Sequence, residues 1–326
     1  VHPPRLVRSL HALALLTVLA SVAAACAASS GTASQPSGGG PTPTHGTPPF
    51  IPQIISSETV VGPNRFLFGI LDAAGSTTIA APDLQVSVGF LPSSEPAPDA
   101  SAPTPSAPPP SPIPARPATF IWAITNERGV YVLDVTFPSA GVWTAAFTTS
   151  GGSVPASTVG VSFDVKAKGV AIPVGGMAPS TKTPTAASPA DIARIATDPS
   201  PDPSFYTTSV DEALAKHDPF VLVFATPAFC TSKQCGPTLD GIKAVAKGEP
   251  GIVFINVEPY KLEYVDGHLQ PVLDANNQLQ ATDVVRAWGL LSEPWVFVVD
   301  RDGVVRASFE AVVSPEELKT AIAAVR

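Results

Sequence analysis

Between Ile51 and Lys168 the chain alternates apolar and polar residues in short runs. The clearest are "VYVLDVTF" and "VGVSFDV", joined by "IISSETVV", "RFLFGILD", "LQVSVGFL", "TFIWAIT" and "VWTAAFTT". A period of two places every second side chain on one face, which predicts half-buried strands. Turn signals such as "GPN", "ERG" and "PSAG" separate the runs. About seven such strands in a hundred-odd residues predict an all-β sandwich over residues 50–177.

From about Ile195 the pattern changes. "SVDEALAKH" reads as a helix with Ser209 and Glu212 at capping-box spacing. "PFVLVFAT" and "GIVFINVEP" are continuous apolar runs, as strands covered on both faces require. "GPTLDGIKAVAKG" reads as a helix with Pro237 near its start and Gly248 at its end, and "ATDVVRAWGL" as a shorter one. "WVFVVDRDGVVRASFE" predicts a hairpin with a two-residue turn at Asp302-Gly303. "SPEELKTAIAAV" closes the chain as a helix capped by Ser314, with Glu317 completing the box. Alternating helices and strands predict an α/β domain over residues 195–326.

Proline marks the connectors. The chain holds 38 prolines and 24 glycines, unevenly spread. Pro92 to Ala118 reads as a disordered or polyproline-II insertion within the sandwich, because proline fixes φ and lacks the N–H that an inner strand needs. Residues 178–194 read as a linker between the two domains. Charged residues make up 14% of the chain and the net charge is −8, which argues against nucleic acid as a partner.

At the amino end, Arg5 and Arg8 precede a short apolar stretch, Leu10 to Val22, and then "VAAAC" ending at Cys26. The apolar stretch is short for a permanent membrane span, so residues 1–26 read as an export signal. The small residues before Cys26 resemble a bacterial lipobox, although Val22 or Ala23 stands where that motif usually has leucine. The resemblance implies lipidation of Cys26 and a cell-membrane, lipid-anchored protein on the extracytoplasmic face. Residues 27–49 are polar and rich in glycine, serine and proline, as a flexible tether would be. In the sandwich, "FPSAGVWTAAF" resembles the hairpin of bacterial extracytoplasmic Ig-like domains, in which a Gly-x-Trp pair closes two strands. The disulfide common in Ig domains has no counterpart, since no cysteine lies in this region.

The chain has three cysteines, and setting Cys26 aside leaves Cys230 and Cys235, with Thr231 to Gln234 between them. They follow an apolar strand and precede a helix. That context, with "WGLLSEPWVFVVDRDG" and the closing hairpin and helix, resembles the thioredoxin superfamily over residues 195–326. The resemblance implies a thiol–disulfide oxidoreductase without metal or organic cofactor, acting through Cys230, Cys235 and a cis Pro294. Its partners would be exported protein thiols or a membrane electron donor. Phe229 stands where the family has tryptophan, Glu293 precedes the proline, and Lys233 would favour a thiolate if it pointed inward. The four-residue spacing departs from the family's two, and "VLVFA" lacks the buried acid usual in that strand. Two registers therefore stay open: Cys230 attacks and Cys235 resolves, or "CGPT" makes Cys235 the helix-start nucleophile, with Thr238 replacing its partner.

Other readings compete. A permanent Cys230–Cys235 disulfide would close a very short loop and stabilise weakly; it would fit a non-catalytic adaptor. A thioredoxin-fold copper chaperone would use two cysteines and a distant histidine, for which His268 is the candidate, although it lies in a polar insertion, Tyr260 to Gln280. Zinc would need four ligands.

Overall fold

The computed structural model describes residues 47–93, 110–152 and 154–326. The export signal, Cys26, nearly all of the tether and the middle of the proline-rich segment lie outside the described residues.

Eight strands build the amino-terminal half: β1 (Phe50–Ile54), β2 (Gly62–Asp72), β3 (Leu84–Pro92), β4 (Ile113–Pro117), β5 (Thr119–Ile124), β6 (Arg128–Phe137), β7 (Gly141–Gly151) and β8 (Ser157–Val165). They form two antiparallel sheets, ordered β1-β2-β6-β5 and β4-β3-β7-β8. Alternation explains the packing. Phe66, Phe68 and Ile70 of β2 and Tyr131, Leu133 and Val135 of β6 share one core with Val86, Val88 and Phe90 of β3 and Trp143, Ala145 and Phe147 of β7. Phe66 meets Phe90 edge-on at 5.3 Å between ring centroids, the favourable approach for two quadrupoles.

Two expectations need correction here. The "GPN" expected as a turn is the start of β2, and "IISSETVV" is not one strand, because β1 ends at Ile54. The proline-rich segment is also not structureless throughout. Its residues Ile113–Pro117 form β4, which pairs with β3 at the sheet edge. An edge position tolerates Pro114 and Pro117 because their missing N–H groups need not serve a second neighbour.

The carboxy-terminal half contains a mixed sheet with strand order β10-β9-β13-β14, where β9 is Phe220–Phe224, β10 Val253–Val257, β13 Trp295–Val299 and β14 Val305–Glu310. β9 and β10 run parallel, and β13 runs antiparallel to both β9 and β14. Val221, Val223, Val296 and Val298 face helices α3 (Cys235–Ala246) and α5 (Pro315–Ala323), meeting Leu239, Ile242, Leu318 and Ile322. Phe220, Leu222, Phe224 and Phe297 point to the other face, against Val210 and Ala213 of α2 (Val210–Lys216) and Val285 and Trp288 of α4 (Asp283–Trp288). Both faces being covered explains the unbroken apolar strands. Ser314 and Glu317 exchange side-chain and backbone bonds at 3.2 and 2.9 Å to start α5, as the spacing predicts.

The β13–β14 turn differs in detail from its expectation. Asp300 and Val304 flank three residues, Arg301 to Gly303, rather than two, with Gly303 at φ +75°. Asp300 accepts the N–H groups of Asp302 and Val304, which fixes this longer turn. The polar insertion is also ordered. β11 (Leu262–Val265) and β12 (His268–Pro271) form a hairpin across Asp266-Gly267, both with positive φ. An Asp-Gly pair favours that turn.

The segment expected as a free linker, 178–194, is packed instead. The Ala178 N–H bonds Gly303 O at 2.8 Å, and Thr183 exchanges bonds with Ser209 and Val210 while almost fully buried. A short helix, α1 (Pro189–Ile192), buries Ile192 in the core. Just upstream, Ile172 N–H reaches Trp288 O, and Gly175 and Gly176 bond Val305. The described residues from Thr47 to Arg326 fall within one compact unit. At the joint, Leu67, Ala123, Val130 and Val132 from the outer face of the first sheet surround Val312.

Candidate functional site

Strand β9 ends at Phe224, and the chain then loops through Cys230 before entering α3 at Cys235. Cys235 is fully buried in the core beneath α3, while Cys230 is half-exposed. Both are free thiols. Their sulfurs and a carboxylate oxygen of Glu293 all lie within 4.8 Å of one another. Glu293 arrives from the loop before β13, and its bond to the buried Pro294 is cis. Thus the structure brings Cys230, Cys235 and Glu293 together, with Pro294 adjoining.

The two thiols occupy opposite electrostatic environments. Cys230 Sγ accepts the Cys235 N–H at 3.2 Å and lies 3.3 Å from Ser232 Oγ. The neighbouring Cys235 thiol is the largest influence, and with Ser232 and the first-turn N–H groups it outweighs burial, holding Cys230 down at about 5. The same pairing, together with burial, pushes Cys235 far above the ordinary thiol range. The surroundings thus favour the thiolate on Cys230 and the thiol on Cys235.

Around them sits a small polar cluster. The Tyr260 hydroxyl donates to Glu293 Oε2 at 2.6 Å, and Thr231 Oγ1 donates to Oε1 at 3.4 Å. Burial raises the Glu293 carboxyl above its ordinary value, and the nearby Cys230 charge adds to this against the Tyr260 bond. Burial, followed by Glu293, raises Tyr260 likewise.

The remaining expected residues fall in place less centrally. Phe229 is half-buried in the loop, its N–H on Thr226 O. Lys233 does not point inward: it is exposed, at φ +59°, and does not contribute to the Cys230 shift. Cys230 is instead favoured as thiolate by the Cys235 thiol first, then by Ser232 and the backbone N–H groups of Cys235 and Gln234. Thr238 is buried, bonding Ala311 O at 2.9 Å. His268 is exposed in the β11–β12 hairpin and lies outside the sulfur cluster. Cys26 lies outside the described residues.

Sequence reasoning missed Tyr260 and Gln234. Tyr260 follows the carboxy end of β10, which parallel pairing with β9 places beside the cysteine loop; that adjacency was the available signal. Gln234 sits buried directly before Cys235, where a polar residue offered no hint of its partners. As a metal site the cluster offers two sulfurs and one carboxylate, one donor short of a closed zinc set.

No family model matches the chain, and no curated protein matches it.

Proposed function

We propose that this protein is a thiol–disulfide oxidoreductase with a thioredoxin-like carboxy-terminal half, an Ig-like sandwich before it, and a lipid tether at Cys26 holding it on the extracytoplasmic face of a membrane. The observation that carries this reading is the paired sulfurs at a helix start, one accessible and favoured as thiolate, the other buried and favoured as thiol. A pure staple gains nothing from such asymmetry, whereas exchange needs it: the thiolate attacks, and the second thiol must wait.

Cys230 thiolate attacks a disulfide of an exported protein, forming a mixed disulfide and expelling one substrate thiolate, which takes a proton from water. Cys235 passes its proton to the Glu293 carboxylate. The resulting Cys235 thiolate attacks Cys230 Sγ, expelling the second substrate thiolate and leaving Cys230–Cys235 oxidised. The substrate gains two electrons, and a membrane electron donor restores the dithiol. Starting from the oxidised pair, the same steps run in reverse and oxidise a substrate dithiol.

The test is a glutathione redox series with thiol labelling, combined with a small disulfide substrate. The reading expects reversible oxidation of the pair, no turnover in Cys230→Ser, and a trapped mixed disulfide in Cys235→Ser. A pair that stays oxidised across the whole series is a staple, and the adaptor reading then replaces this one.

A second reading rests on the three-donor cluster: the reduced pair with Glu293 could hold a thiophilic ion. Titration with Cu(I) and Zn(II) decides it, and tight binding lost in Glu293→Gln supports it.

A further inference from the structure

The loop between the cysteines is held from outside its own half of the protein. Gln234 is 4% exposed, and its side-chain amide donates to Ala123 O of β5 at 2.8 Å and to Thr238 Oγ1 at 3.1 Å. Thr238 donates in turn to Ala311 O at 2.9 Å, and the Ala311 N–H donates to Pro294 O at 2.8 Å. Thus a continuous chain of hydrogen bonds runs from a sandwich strand, through the helix start, to the proline beside the sulfurs. A second tie comes from β6, where Arg128 Nη1 donates to Ser232 O at 3.3 Å. Both ties fall on the residues that place donors on the reactive sulfur. Ser232 presents its hydroxyl to Cys230, and Gln234 is followed by Cys235, whose N–H does the same. Ser232 Oγ also accepts the Gln234 N–H at 3.3 Å, so the two anchored residues are linked to each other.

We propose that the sandwich is a working part of the dithiol site, with Gln234 as the positioning residue that couples β5 to the Cys230 environment and thereby sets the reactivity and redox midpoint of the pair. Free, a loop this short would sample several turns, and donors would reach Cys230 only part of the time. Anchoring at Ser232 and Gln234 removes those alternatives. Glutamine suits the task because both amide hydrogens are used, on acceptors in different halves. An anchor supplied by another part of the chain also makes the site sensitive to a change that parts Gln234 from Ala123 or Arg128 from Ser232. This inference rests on the exchange reading only in taking Cys230 as the reactive thiol.

The test uses the reduced full chain. Alkylation of Cys230 by iodoacetamide is followed from pH 4 to 9 by peptide mass spectrometry, and the oxidation midpoint is measured against glutathione. Gln234→Met keeps the length and removes both donors. It is expected to move the alkylation midpoint up by about one pH unit and so slow the reaction about tenfold at pH 4, below both midpoints, and about twofold at pH 6, the worth of one lost hydrogen bond to a charged sulfur. Arg128→Ala should shift the profile the same way by less. Arg65→Ala, which cuts a tie to Glu317 elsewhere in the joint, should leave it unmoved. An unchanged profile in folded Gln234→Met overturns the proposal, as does an equal shift in Arg65→Ala. If Gln234→Met does not fold, Arg128→Ala decides, and an unchanged profile there overturns it. Absence of reversible oxidation in the unaltered protein sinks the redox function separately, while the alkylation shift still reads the coupling.

Discussion

On the exchange reading proposed above, resolution of a mixed disulfide would depend on Glu293 and Cys235, which lie side by side. In a mixed disulfide Cys230 carries no charge, so burial is the main influence still disfavouring ionisation of Cys235, and the carboxylate within 4.8 Å would serve as its base. Burial raises this carboxyl above its ordinary value, which makes its ionised form a stronger base than an exposed carboxylate. Glu293→Gln keeps the shape and removes the base. Resolution of a preformed mixed disulfide should slow by roughly 10²-fold, within the usual range for a lost general base, with Cys230 attack left close to normal; stopped-flow separation of the two phases checks this. Cys230 also makes a stability prediction. Its folded value, about 5, lies below the ordinary thiol value of 9.0, so its ionisation stabilises the folded, reduced chain. That contribution is complete above the unfolded thiol value and is lost as pH falls through about 5. Cys235 and Glu293 act in the opposite sense, so the useful quantity is a difference. The gap in Tm between the reduced protein and Cys230→Ser should widen as pH rises from 5 to about 8. A constant gap would show that the thiolate gains nothing from folding.

Among helices and strands, those whose pattern depends on immediate neighbours could be read from residues alone. "PFVLVFAT" announced a strand covered on both sides, and Ser314 with Glu317 announced where α5 begins. What escaped depended on contacts far along the chain. Residues 66–70 are buried without a break because the carboxy-terminal half covers Leu67, and nothing local says so. The "APSTKTPTAASPAD" segment looks like a tether by composition, yet Thr183 is clasped by Ser209 and Val210. At the dithiol the sequence pointed to Cys230, Cys235 and the Glu293-Pro294 step, but Tyr260 and Gln234 became visible only once β10 and β5 were placed. One glycine shows how tightly the upstream strap is seated. Gly289 ends α4 at φ +70°, and a Cβ there would stand 2.0 Å from Val170 O. Gly289→Ala must therefore expel the strap, break the Ile172–Trp288 bond and strain the left-handed turn. A loss of about 2–4 kcal/mol in urea unfolding is expected, combining backbone strain with lost packing. A loss below about 0.5 kcal/mol, the level of a neutral surface change, would mean the strap moves freely.

The joint between the two halves is where fold and chemistry meet. Its polar rim is the Arg65–Glu317 pair, two parallel bonds at 2.8 and 3.1 Å with both side chains mostly buried. Burial alone would raise Glu317, but Arg65 outweighs it and holds the carboxyl below its ordinary value. Glu317 also caps α5, so one residue ties the last helix to the second strand of the sandwich. Beneath the rim, Val312 is 4% exposed among Leu67, Ala123, Val130 and Val132. Contacts of this kind predict that the two halves unfold as one cooperative unit. Val312→Asp places a carboxylate with no partner in that apolar setting, which costs several kcal/mol if the joint stays shut. Opening the joint relieves the cost, because each half keeps its own core. The variant should therefore convert one calorimetric transition into two, and the opened joint should release Gln234 from Ala123. Thermal splitting and a slower Cys230 alkylation at pH 6 should appear together in this variant. Two transitions with an unaltered alkylation profile would separate the halves physically while showing that the thiol does not sense the sandwich. The two readouts combined thus ask whether a distant apolar contact governs the reactivity of a sulfur that it never touches.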